Sequence, residues 1–267
     1  MSSTADKLEQ QDILLRDQAD GIATLTLNRA AQYNALSSEL LSELQIALDE
    51  INADESVRVV IIAANGKAFC PGHDLKQMRS SEDPAFHQAL FEQCSRMMMT
   101  INQLRQPVIA RVQGIATAAG CQLVANCDLA VAAAEAKFAV SGINAGLFCS
   151  TPAVALSRNL PRKQAMQMLL SGDFISAQQA LQYGLVNEVV AAEELDNATR
   201  MLADKIASKS AHSIALGKEM FYRQLPMDLS AAYAYAGERM TCNMDSHDAR
   251  EGIDAFIEKR KPTWQDR

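Results

Sequence analysis

The chain has 267 residues, enough for one large domain or a domain with an appendage, and either can bury a substantial core. Apolar residues make up 48% and charged residues 21%, with only 7 prolines and 12 glycines, which excludes a disordered or low-complexity chain. A net charge of -7 and a pI near 5.2 oppose nonspecific nucleic-acid binding, which needs a basic field to displace counterions from phosphates.

The N-terminal MSSTADKLEQQDILL lacks a basic segment followed by an apolar run, so no secretory signal is expected, and its acidic residues argue against a transit peptide. DILLRDQADGIATLTL reads as two short strands about Gly21. From Ser37 onward, Leu40, Leu41, Leu44, Leu48 and Ile51 fall at helical spacing, and Ser37 or Ser38 can cap the start. VRVVIIAA at 57–64 reads as a buried strand. A helix over 85–104 follows, then strand PVIARV at 107–112, a short helix within 118–125 and strand DLAVAA at 128–133. Alternating strands and helices predict parallel strands joined by crossovers. Beyond residue 150 the strand signals thin out and helices are expected. The three-methionine run at 97–99 reads as helix core.

Six cysteines stand at 70, 94, 121, 127, 149 and 242 without a CxxC pair, which predicts reduced thiols and a cytoplasmic location. No apolar stretch reaches the roughly 20 residues of a membrane span. The histidines at 73, 87, 212 and 247 show no metal-ligand spacing, so no metal is expected. GxGxxG, Walker A, HExxH and GxSxG motifs are all missing, which removes the usual signatures of dinucleotides, P-loop nucleotides, zinc peptidases and α/β-hydrolases.

Two strand ends carry the chemistry. VRVVIIAA runs into NGKAFCPGHDL, where Gly72 allows a sharp turn that presents a backbone amide. PVIARV runs into QGIATAAGCQL, whose small residues permit close approach at a helix start, where the dipole favours developing negative charge. Each segment alone is as compatible with a tight packing turn. Asp74 and Asp128 fit a structural role, bonding backbone amides of the turns.

Taken together, FCPGHDL (69–75) and GIATAAGCQLVANCD (114–128) resemble the crotonase superfamily, the enoyl-CoA hydratase/isomerase family, whose stretches read F-x-x-G-x-D-[LI] and G-x-A-x-G-G-G-x-x-L-x-x-x-C-D. NRAAQYNAL (28–36), AKFAVSGINAGL (136–147), ISAQQALQYGLVNEVV (175–190) and EGIDAFIEKRKPTW (251–264) extend the resemblance over nearly the whole chain. It implies an α/β fold: a crotonase-like spiral of ββα turns over 1–198 and a C-terminal helical oligomerisation region over 199–267. It also implies an acyl-CoA thioester substrate, no cofactor apart from coenzyme A as part of that substrate, and a homotrimer or a hexamer built as a dimer of trimers. No nucleic-acid or membrane partner is implied.

By motif position, the oxyanion donors are the amides of His73 and Ala119. Backbone around the first turn, at Ala68, Gly72, His73, Asp74, Leu75 and Lys76, maps onto the coenzyme A site. Lys259 is the candidate for the 3′-phosphate, and Phe256 for the acyl pocket of a neighbouring subunit. The GHD form also resembles the methylmalonyl-CoA decarboxylase branch.

The chain departs from the family at its acid-base positions. Family hydratases carry glutamates where this sequence has Gln122 and Gly142, and neither residue titrates. Where GLFCS stands here, dienoyl-CoA isomerases have an aspartate at the Ser150 position and the decarboxylase a tyrosine at the Cys149 position. Cys149, Ser150, Ser141, Cys70 and the His73 ring remain as proton-transfer candidates. Cys149 leads them because a helix start can lower a thiol pKa. The resemblance therefore implies hydratase-like binding with doubtful hydration; base-free decarboxylation and acyl-CoA binding with little turnover are the alternatives.

Overall fold

A computed structural model describes residues 12–267. Ten strands and eleven helices form two sheets with helices packed around them, among the described residues. The strands are β1 (Leu14–Ala19), β2 (Ile22–Leu27), β3 (Val59–Ala64), β4 (Ala68–Cys70), β5 (Val108–Val112), β6 (Ile115–Thr117), β7 (Leu129–Ala133), β8 (Lys137–Ala139), β9 (Ile175–Ser176) and β10 (Glu188–Val190). The helices are α1 (Ser38–Ala53), α2 (Leu75–Arg79), α3 (Pro84–Gln103), α4 (Ala119–Asn126), α5 (Ser150–Asn159), α6 (Arg162–Ser171), α7 (Ala177–Tyr183), α8 (Leu195–Ala207), α9 (Ala211–Gln224), α10 (Leu229–Met244) and α11 (His247–Glu258).

The larger sheet has the order β1-β2-β3-β5-β7-β10 and the smaller β4-β6-β8-β9. Each ββα turn gives its first strand to the large sheet and its second to the small one: β3 and β4, then β5 and β6, then β7 and β8. All these neighbours pair in parallel. The ββα stack that the resemblance implies is therefore present. At one end of each sheet, β1 with β2 and β8 with β9, the pairing is antiparallel.

All six residues of β3 are buried, because the strand is covered on both faces. Val60, Ile62 and Ala64 join the main core, while Val59, Ile61 and Ala63 join a second core under α8. The expected α1 face is the observed one: Leu40, Leu41, Leu44, Leu48 and Ile51 are buried, and the Ser37 hydroxyl accepts from the Leu40 amide as the N-cap. Met97 and Met98 are core as expected, but Met99 is exposed, since three successive residues cannot share one helix face.

The boundary read at residue 198 falls within α8, whose Leu195 and Ala203, on either side of it, pack beneath the same sheet. Helices α9 and α10 have no fully buried residue. What docks α9 is polar: Lys218 Nζ donates to the carbonyls of Ile101 (2.8 Å) and Gln106 (2.9 Å) and to Asp128 Oδ2 (2.6 Å). The Tyr222 hydroxyl donates to Asp128 Oδ1 at 2.8 Å.

Candidate functional site

The first turn leaves β4 through Pro71, Gly72 and His73 and enters α2, capped by Asp74. The Asp74 carboxylate accepts from the amides of Lys76 (3.0 Å) and Gln77 (3.3 Å) and meets Arg29 at 3.4 Å. A one-residue bridge ties this turn to Leu36: the Leu36 amide donates to the Gly72 carbonyl (2.8 Å) and the Asp74 amide to the Leu36 carbonyl (3.1 Å). In such a bridge the intervening His73 amide points the other way. It donates to no group among the described residues.

The second turn leaves β6 at Thr117. Ala118 adopts φ 49° and ψ −121°, a region open to glycine and strained for alanine, and begins α4. Its amide donates to the Ala139 carbonyl at 3.0 Å, and its carbonyl accepts from the Gln122 amide at 3.0 Å. The Ala119 amide, first in the helix, has no acceptor among the described residues.

The two turns touch. Gly72 has φ +103°, and a Cβ placed there would lie 2.9 Å from the Ala118 Cβ and 3.0 Å from the Ala119 nitrogen. A Cβ at Gly120 would lie 2.0 Å from the Cys70 carbonyl oxygen. Small residues at these positions therefore set how closely the amide of Ala119 approaches the His73 turn. Two uncommitted N–H groups on touching turns can hold one oxygen that gains negative charge.

They border a cavity of about 850 Å³ lined by His73, Ala118, Ala119, Ser141, Gly142 and Cys149 together with apolar side chains that include Met78, Phe91, Phe148 and Phe174. The lining contains no Asp, Glu, Lys or Arg, so His73 and Cys149 are its titratable side chains. The His73 ring stands edge-on to Phe91, with centroids 5.5 Å apart, and both ring nitrogens are buried without a hydrogen-bond partner. Burial pushes its pKa below the ordinary 6.5, against a weaker opposing pull from the Leu36 backbone, so the imidazole is neutral at pH 7.

The expectation of a lowered Cys149 pKa is corrected. Cys149 does stand at the start of α5, but burial pushes its thiol up, and the Gly142 backbone hydrogen bond only partly offsets this. The thiol stays protonated, because a favourable helix end does not make up for lost water.

The two positions lacking glutamates behave differently. Gly142 lines the cavity, and a Cβ there would lie 2.7 Å from Cys149 Sγ and 2.6 Å from the Leu147 carbonyl oxygen. Gln122 is 5% exposed within α4, its Oε1 has no partner, and it is not among the lining residues.

Of the other site residues read from the sequence, Leu75 lines the cavity, and Ala68 is buried in β4 with its carbonyl accepting from Asn34 and Gln113. Lys76 is exposed on α2, and Ser141 and Ser150 reach the lining. Cys70 is fully enclosed, its thiol pushed to about 12 by burial. Phe256, at 85% exposure, and Lys259, in a left-handed turn closing α11, lie away from the cavity. The apolar wall of Met78, Phe91, Phe148 and Phe174 went unread. These residues come from separate elements and share no spacing. Thr117 was missed too; its hydroxyl is 2.8 Å from that of Ser141.

Among the described residues, no group of three or more His, Cys, Asp or Glu is placed to hold a metal, and no helix is long and apolar enough to cross a membrane.

Residues 17–267 match the enoyl-CoA hydratase/isomerase family. The chain belongs to that family. Rat enoyl-CoA hydratase domain-containing protein 3, mitochondrial, is 48% identical over 247 residues, covering 92% of this chain and 82% of the rat protein. The crystal structure of an enoyl-CoA hydratase from Mycobacterium smegmatis superposes with a TM-score of 0.94 at 54% identity, covering 95% of this chain and 99% of that one. That of human enoyl-CoA hydratase domain-containing protein 3 gives 0.92 at 46% identity, covering 95% and 100%. The chain thus has the crotonase fold, with mostly parallel sheets and C-terminal helices.

The cytoplasmic expectation is overturned, because the rat, mouse and human relatives are named mitochondrial proteins. Cysteines without disulfide partners are compatible with any reducing compartment and do not single out the cytosol.

Proposed function

We propose that this family member binds acyl-CoA thioesters and polarises the thioester carbonyl between the backbone N–H groups of His73 and Ala119, stabilising an enolate. The observation that carries this reading is the contact of Gly72 with Ala118 and Ala119, which brings two uncommitted amides onto adjoining turns beside the cavity. An oxygen gaining charge there meets both donors, one of them at a helix start. Deleting one such donor typically costs about 10² to 10³ in rate.

The chain is hydratase-like by family, but standard hydration is expected to be slow. Each acid-base group contributes about 10² to 10⁴, and the cavity has no carboxylate to supply it. The same uncharged lining favours a second reading, an acyl-CoA binder with little turnover. No cofactor beyond the coenzyme A of the substrate is called for. The relatives' names support a mitochondrial setting.

Exposed Leu229, Tyr233, Met240, Phe256 and Ile257 on α10 and α11 support a homotrimer or a dimer of trimers, with Phe256 against a neighbouring acyl site and Lys259 toward the 3′-phosphate.

The test is the absorbance of a conjugated cinnamoyl-type thioester on binding, together with turnover of crotonyl-CoA and malonyl-CoA. A red shift that Gly72→Ala abolishes supports carbonyl polarisation, and binding without a shift overturns it. Hydration of crotonyl-CoA at ordinary enzymatic rates, lost on changing Gln122, would show that the missing carboxylates are not limiting.

A further inference from the structure

The cavity beside the two amides has a composition that bears on what the acyl group can be. Its walls are Met78, Phe91, Leu147, Phe148 and Phe174 with alanine and proline, beside the uncharged polar Ser141, Asn144, Ser150 and Thr151, and no Lys or Arg is among them. The one lining imidazole, His73, has both ring nitrogens buried without a partner and is held neutral by that burial. The lining thus supplies neither a cation nor a protonated histidine as counter-charge for an anionic acyl group.

The cavity is also large, about 850 Å³, and its apolar surface continues outward onto exposed Leu75, Leu147, Phe148 and Phe174. Phe174, 49% exposed, also borders a separate, polar groove of about 420 Å³ that contains Asp173, and so stands between the apolar chamber and that carboxylate. Burying apolar surface in such a chamber strengthens binding with each added methylene, whereas a carboxylate brought into it loses its water and meets no counter-charge among the lining residues.

We infer that the cavity selects thioesters of extended, uncharged, apolar acyl groups and rejects those whose acyl chain ends in a carboxylate, with Phe148 and Phe174 as the residues that set this preference. The inference rests on the acyl-CoA reading above and narrows it by substrate class.

The experiment is calorimetric titration of the full chain with free coenzyme A, butyryl-CoA, octanoyl-CoA and suberyl-CoA, the last two matched in chain length. Octanoyl-CoA is expected to bind on the order of a hundredfold more tightly than butyryl-CoA, at about fourfold for each methylene buried. Suberyl-CoA is expected to be at least about a hundredfold weaker than octanoyl-CoA. Phe174→Ala and Phe148→Ala change partly exposed side chains. Each is expected to weaken octanoyl-CoA about tenfold and butyryl-CoA by less, so that the preference for the longer chain shrinks.

Equal affinity for octanoyl- and suberyl-CoA, or for octanoyl-CoA and free coenzyme A, overturns the inference while leaving the acyl-CoA reading standing. No binding of any of the four overturns that reading itself.

Discussion

The turn region and the C-terminal helices are held by opposite means. Around the two strand ends, β4, β6 and α4 pack so closely that a single added carbon at Gly120 would overlap the Cys70 carbonyl, and the core beneath is mainly apolar, with Asn34, Thr117 and Gln122 buried among it. Helices α9 and α10 bury no residue fully; α9 meets the core through the Lys218 ammonium and the Tyr222 hydroxyl on the Asp128 carboxylate, and α10 packs on α9 while its Leu229, Tyr233 and Met240 are exposed. The first region is a rigid frame that fixes two backbone amides. The second is attached by a few charged bonds and keeps its apolar surface open.

The contrast breaks most visibly at Lys218. Lys218→Met strands the Asp128 carboxylate with only the Val108 amide and the Tyr222 hydroxyl and leaves two carbonyls unpaired, so a loss of about 3 to 5 kcal/mol is expected in urea unfolding. A loss below about 1 kcal/mol means that the helices are docked by something else.

Gly142→Glu tests the frame. Its Cβ would meet the Leu147 carbonyl oxygen at 2.6 Å, which is backbone and cannot swing aside, so a cost of about 2 kcal/mol is expected with no gain in crotonyl-CoA hydration. Recovery of hydration by this one change would show that the loop accommodates a carboxylate after all.

Ala118→Gly acts in the other direction. At φ 49° and ψ −121° the alanine is strained, and relief of that strain, less the entropy of an added glycine, should stabilise the chain by about 1 kcal/mol in thermal unfolding.

The smallest effect is in pH. His73 has its pKa lowered by burial, so just below the ordinary value of 6.5 the unfolded chain binds a proton that the folded chain does not. Stability should fall as pH drops through that window, with a slope of at most about 1.4 kcal/mol per pH unit from this group. His73→Phe should flatten that part of the curve; an unchanged slope assigns it to other groups.

How much was legible follows the range of each interaction. The spacing of Leu40, Leu41, Leu44, Leu48 and Ile51 gave the buried face of α1, and the apolar run at 59–64 gave a strand covered on both faces, because both patterns are local. Candidate residues on the two turns could be read because Gly72 and the small residues after Thr117 carry their geometry in their own chemistry. The direction of the Cys149 shift could not, since burial by distant segments outweighs the helix end it sits on. Lys218 and Asp128 are 90 residues apart, and nothing in either stretch announces the pair.

The sequence by itself determined the alternation of strands and helices, the family, and the two positions where glutamate is absent, all of which reside in residue type and short-range order. Only the tertiary structure decided that the turns touch, that Gly142 is closed off by the Leu147 carbonyl while Gln122 lies outside the cavity lining, and that the cavity is without charge. Those outcomes depend on which surfaces come to share one volume, and that is fixed by packing between elements far apart in the chain.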